Sequence, residues 1–200
     1  MRVEQLLRRA NGFCGCETNK EAGACFQMAV CLFWVGMATP NHKSERSYYE
    51  SVKDWLEQIL KEKYASFHLE VTANKQFSNV LQSQIDSSRD LIFAFLKEAA
   101  PDITGFVKKD SSSPREFIVV EIKTTPIKLD DIYQARKYAE LFDARYALLL
   151  STSEIPEKIT RLSRVVYSLL ALPAYKQLTL VRFEDNGSRA TWFPECPFGK

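Results

Sequence analysis

Asp102, Glu121 and Lys123 are the residues of this sequence whose types and spacing best suit a shared chemistry. Asp102 follows Pro101 at the start of one apolar run, Asp102 to Val107, and Glu121 and Lys123 close a second, Phe117 to Lys123. If both runs are strands, side chains alternate between the two faces, so Glu121 and Lys123 share a side and can converge with Asp102. Two carboxylates with the carbonyl of Ile122 between them make an all-oxygen set suited to a hard cation, Mg²⁺ or Mn²⁺. Such an ion polarises a phosphodiester and neutralises the charge that develops on its oxygens. The Lys123 ammonium beside it can orient the attacking water and share in stabilising the transition state. A Pro-Asp pair alone is common, and Glu-x-Lys on a strand is an ordinary salt-bridge pattern. The signal lies in their joint occurrence at this separation.

These residues need strands under them and helices over them, and the sequence predicts both. From Ser44, with Ser44 or Ser47 as N-cap, the residues Tyr48, Val52, Trp55, Leu56, Ile59 and Leu60 recur on one helical face. Phe67 to Val71 alternates as a half-buried strand, and Asp86-Ser87-Ser88-Arg89 predicts the cap of a second helix reaching Ala99. The polar stretch KKDSSSPR makes Asp102–Val107 and Phe117–Lys123 a hairpin, and Phe117 to Val120 is apolar on both faces, as in a central strand. A helix is expected over Leu129–Phe142, with Asp130 and Asp131 in its first turn. A buried strand follows at Tyr146–Leu150, then a helix over 155–171 and a last hairpin, 178–183 with 189–193, around Asn186-Gly187. The pattern is α/β, a mixed central sheet flanked by helices, forming one domain over 44–200 after an N-terminal extension of residues 1–43.

Pro101-Asp102 followed by Glu121-Ile122-Lys123 at the end of a hydrophobic strand resembles the PD-(D/E)XK nuclease superfamily. Gln134 and Tyr138, in Gln-Ala-Arg-Lys-Tyr, are similar to the Q-x-x-x-Y motif of nuclease domains attached to bacterial recombination helicases. Positions four apart share a helical face, so both can point toward the strand residues. The resemblance covers about residues 45–151 and implies a restriction-endonuclease-like core of order αβββαβ. It implies a Mg²⁺- or Mn²⁺-dependent nuclease with Asp102, Glu121 and the Ile122 carbonyl on the metal, Lys123 catalytic, and Gln134 supporting the site and the nucleic-acid backbone. Many relatives add an acidic residue from the first helix; Glu45, in register with the apolar stripe, is preferred to Glu50 on the polar face. DNA is expected over RNA, and a homodimer is implied where a duplex must be cut on both strands. The competing expectation is a catalytically silent nuclease-fold module that binds nucleic acid or a partner.

Composition neither demands nor forbids this. The 200 residues are 46% hydrophobic and carry a net charge of only +2, from 27 basic and 25 acidic residues, so a phosphate-binding surface must come from local clusters. Lys61 with Lys63, Lys108 with Lys109, Lys123 with Lys128, and Arg136 with Lys137 are the candidates, each also readable as a solvated face. Cys14, Cys16, Cys25 and Cys31 crowd near the N-terminus, with Cys196 apart, and their spacing lacks the paired Cys-x2–4-Cys of zinc sites. Incidental reduced thiols are expected. His42 and His68 are lone histidines, and Trp34, Trp55 and Trp192 read as core. The apolar run 25–38 falls short of the ~20 residues that span a bilayer. Basic residues before it and Gly36-Met37-Ala38 suit a secretory signal, whereas Glu4, Glu17 and Glu21 oppose one. A buried or loosely packed N-terminal helix in a cytoplasmic protein, with no membrane partner, is the expectation.

Overall fold

Tyr48, Val52, Leu56 and Leu60 stand four residues apart and are all buried, which is why helix α1 (Tyr49–Lys63) lies flat on a sheet. The computed structural model describes residues 44–184 and 189–199. The expectations for Cys14, Cys16, Cys25, Cys31, Trp34, His42 and the apolar run therefore lie outside the described residues. A 3₁₀ turn, Glu45–Tyr48, leads into α1; Ser44 caps it by position, without a side-chain bond, and Ser47 Oγ donates back to the Ser44 carbonyl at 2.6 Å. Lys61 and Lys63 fill the last turn of α1, where the helix dipole favours cations.

The strands are β1 (Ser66–Val71), β2 (Ile103–Lys108), β3 (Glu116–Lys123), β4 (Tyr146–Ser151), β5 (Ala171–Leu172), β6 (Lys176–Phe183) and β7 (Ala190–Phe193). They form a mixed seven-stranded sheet in the order β1-β2-β3-β4-β6-β5, with β7 also on β6. β2 runs antiparallel to both β1 and β3, whereas β3, β4 and β6 run parallel, because a helix returns the chain between β3 and β4. The predicted central place of Phe117–Val120 is what the order shows. Gly105 is required where β1 crosses close to β2: a Cβ there would lie 2.0 Å from the His68 carbonyl oxygen.

Alternation along β3 assigns its side chains to two cores. Ile118, Val120 and Ile122 face α1, together with Ile103, Leu148, Leu150 and Val181. Val119 faces α4 (Leu129–Phe142), packed with Ile132, Ala135, Tyr138 and Phe142. Each fully buried Leu or Ile contributes about 1.5–3 kcal/mol, so both helix layers are held by burial rather than by propensity. Trp55 stacks on Trp192 at 5.4 Å and meets Phe183 edge-on at 5.3 Å, pinning the β6–β7 pair to α1.

Two expected helices are shorter than the sequence suggests. The predicted helix from Asp86 to Ala99 is broken into a 3₁₀ turn, Ser87–Arg89, and α3 (Ile92–Leu96), after a separate single turn, α2 (Asn79–Gln82). Asp86 does cap, accepting from the Ser88 N–H at 3.3 Å. Apolar residues crowd Leu91 to Leu96 without forming a stripe; a run of i→i+3 turns buries Leu96 while leaving Leu91 and Phe95 exposed. The helix expected over 155–171 ends at Val165 as α5 (Glu157–Val165), because Leu169 and Leu170 must turn into the core beside β5. The turn around Asn186-Gly187 lies outside the described residues, although β6 and β7 pair antiparallel as a hairpin would. Among the described residues no helix is long and apolar enough to cross a membrane.

Candidate active site

The backbone of Asp102 is locked on both sides before β2 begins. Its N–H donates to the Val120 carbonyl at 3.1 Å, and its carbonyl accepts from the Thr72 N–H at 2.8 Å. Beneath it, Thr72 Oγ1 donates to the Pro101 carbonyl at 2.7 Å and lies 2.9 Å from Thr104 Oγ1, a buried polar knot at the end of β1. Its side chain is fixed too: Oδ2 accepts from the Ile122 N–H at 2.7 Å, and the Tyr49 hydroxyl hydrogen-bonds the carboxylate from the first residue of α1. Asp102 is 8% exposed. Burial raises its pKa, while the Ile122 N–H and Tyr49 hydroxyl stabilise the charged form and restrain the rise.

Glu121 sits opposite Leu149 near the end of β3 and is only 4% exposed. Its Oε1 accepts from Lys123 Nζ at 2.8 Å. Its Oε2 is buried and has no hydrogen-bond partner. Burial first, then the charge of Asp102, pushes the Glu121 carboxyl up to about 7, against the pull of Lys123. Burial alone would lower the Lys123 pKa, but Glu121 outweighs it and the ammonium is held above its ordinary value. Among the described residues a single cation, Lys123, thus faces two buried carboxyl groups.

The helix residues arrive from the other side. Gln134 on α4 places Oε1 3.4 Å from Lys123 Nζ, and its Nε2 donates to the buried Tyr138 hydroxyl at 3.4 Å. Both therefore lie against the strand residues, as their four-residue spacing predicts. Glu45 is half-buried, and its negative charge bears on Asp102, Glu121 and Lys123. Among the described residues, no group of three His, Cys, Asp or Glu side chains is placed to hold a metal ion together. Glu50 is exposed, in keeping with the polar face of α1. Ile122 contributes its backbone N–H to Asp102 while its side chain is buried in the α1 core.

Tyr49, Thr72 and Thr104 escaped sequence reasoning. Tyr49 stands four residues after Glu45, a spacing that marks a shared face, but its stripe position reads as packing. Nothing in the local sequence ties Thr72 to Pro101, since the contact spans 29 residues. Glu70, near the end of β1, is engaged locally: Oε2 lies 2.9 Å from His68 Nε2 and Oε1 accepts from the Ser78 N–H at 2.9 Å. A groove of about 730 Å³ opens beside Asp102, lined by Arg46, Tyr49, Lys53, Glu70 and Asn74 among others.

Two converging carboxyl groups and one unsatisfied buried oxygen fit a hard divalent cation, which takes one or two carboxylates and keeps several waters. No family model matches the chain, and neither a curated protein nor a solved structure matches it.

Proposed function

We propose that the chain is a metal-dependent nuclease of the PD-(D/E)XK kind, with a restriction-endonuclease-like core, hydrolysing phosphodiester bonds of nucleic acid, DNA in preference to RNA. The observation that carries this is Glu121 Oε2, buried without a partner beside Asp102 and Lys123. A buried carboxylate oxygen left unpaired costs about 1–3 kcal/mol or more, which a fold has reason to keep only if something binds there. The hairpin β2–β3, the crossover helix α4 and the parallel strand β4 also occur in the order that this core requires.

Asp102, Glu121 and the Ile122 carbonyl would hold Mg²⁺ or Mn²⁺, which supplies Lewis-acid stabilisation of the phosphodiester oxygens when bound. The chain's own residues do the rest. Tyr49 and the Ile122 N–H hold the Asp102 carboxyl in a single orientation and favour its charged form against burial. Lys123 Nζ, tethered between Glu121 and Gln134, can orient the attacking water and oppose charge gathering on the phosphoryl oxygens. Gln134, buttressed by Tyr138, limits where that ammonium can point.

The test is cleavage of supercoiled plasmid, single-stranded and branched DNA, and RNA, with Mg²⁺, Mn²⁺ or chelator, beside the Glu121→Ala variant. Metal-dependent cleavage lost in the variant is the expected result. Salt-sensitive binding without cleavage of any substrate would replace the enzyme with a nucleic-acid-binding module.

A further inference from the structure

At the end of the sheet away from Asp102, where β2 leaves at Lys108 and β3 enters at Glu116, a cavity of about 680 Å³ opens. It lies between the β2–β3 turn, the short turns after Gln84 and the C-terminal end of α4, and it is lined by Arg89, Lys108 and Arg115 over Ile85, Ile92 and Phe117. Phe117 and Glu121 share a face of β3, four residues and so about 13 Å apart. The cavity is a separate place from the carboxylate pair.

Of its cations, Arg89 is paired and, among the described residues, Lys108 and Arg115 are not. Arg89 is anchored by bonds from Nη2 to the carbonyls of Leu141 at 2.8 Å and Glu140 at 3.3 Å, and its Nη1 lies 3.9 Å from Asp143 Oδ2. Arg115 donates from Nη1 to Gln84 Oε1 at 2.8 Å. Neither Arg115 nor Lys108 has a carboxylate partner among the described residues. Asp86, the one acid in the wall, is occupied in accepting from the Ser88 N–H. Asp110 in the adjacent turn is likewise taken up by the N–H groups of Ser112 and Ser113, at 2.9 and 2.7 Å, which brings Ser113 into the wall.

Unpaired cations above an apolar floor select an anion with a flat apolar body. Two or three guanidinium and ammonium groups suit a doubly charged phosphoryl group better than a single carboxylate, and Arg offers it a planar fork of donors. We propose that this cavity binds a nucleotide through its 5′-phosphate, with the phosphoryl group on Lys108 and Arg115 and the base against Phe117. The ligand is either a free mononucleotide or the 5′-terminal nucleotide of a strand. Neither depends on the nuclease reading, since no residue of the carboxylate site is involved.

Titration calorimetry of the full chain in chelator tests this with adenosine 5′-monophosphate, adenosine, inorganic phosphate and a 5′-phosphorylated oligonucleotide. The mononucleotide is expected to bind saturably and at least tenfold tighter than adenosine or phosphate. Lys108→Gln or Arg115→Gln should weaken it roughly tenfold, the loss of a charge-assisted hydrogen bond. Glu121→Gln should leave it unchanged. Binding of the oligonucleotide alone, weakened by the same two variants, would assign the site to strand ends. The proposal fails if neither nucleotide binds, if phosphate binds as tightly as the mononucleotide, or if both substitutions leave affinity unchanged while melting temperatures match the parent.

Discussion

Replacing Glu121 by Gln removes a negative charge from a nearly closed pocket while keeping the side chain's shape. An unfolded glutamate titrates near 4.5, whereas burial and Asp102 push Glu121 up to about 7 in the fold. Between those values the folded state holds a proton that the unfolded state has released, so stability falls as pH rises. The rise is worth roughly 3 kcal/mol, fully felt above pH 7 and absent below about pH 4.5. The neutral amide would carry no such cost, although Lys123 would lose its charged partner at 2.8 Å, which offsets part of the gain. The variant should therefore be about 1–3 kcal/mol more stable than the parent at pH 8 in chelator, and no more stable at pH 4.5. Urea unfolding at both pH values measures this, with a midpoint shift at constant slope as the signature. Added Mn²⁺ should stabilise the parent at pH 8 and the variant far less. A variant less stable than the parent at pH 8, by the same margin as at pH 4.5, would refute the claim that Glu121 is held as a strained buried anion.

Asp102→Ala and Lys123→Ala should each lower cleavage on the order of a thousandfold, measured as initial rate on plasmid DNA, with circular dichroism unchanged. Gln134→Ala should lower it only about tenfold, because Gln134 touches the Lys123 ammonium rather than replacing it. Tyr49→Phe removes a hydrogen bond that stabilises the Asp102 anion, so the acidic limb of the pH–rate profile should move to higher pH. Gly105→Ala places a Cβ 2.0 Å from the His68 carbonyl oxygen and 2.6 Å from Leu69 Cδ2, and should cost about 3 kcal/mol in urea unfolding by forcing β1 from β2.

Periodicity alone made much of the fold legible. The stripe from Tyr48 to Leu60, the doubly apolar Phe117–Val120 and the helix over Leu129–Phe142 are each set by side-chain spacing, which acts within one element and needs no partner to be read. The same spacing brought Glu121 and Lys123 to one side of β3 and set Gln134 above Tyr138. Residues 86–99 and 155–171 failed as single helices because their apolar residues are consumed by a core whose shape is defined elsewhere, so burial of Leu96, Leu169 and Leu170 overrode helical continuity. The charge state of the site was not legible at all. That Glu121 keeps an unpaired oxygen, that Tyr49 reaches Asp102 and that Thr72 braces Pro101 depend on packing between segments tens of residues apart. A sequence names the groups that can ionise; only the tertiary structure, by deciding which of them lose water and which gain a partner, decides what each one costs.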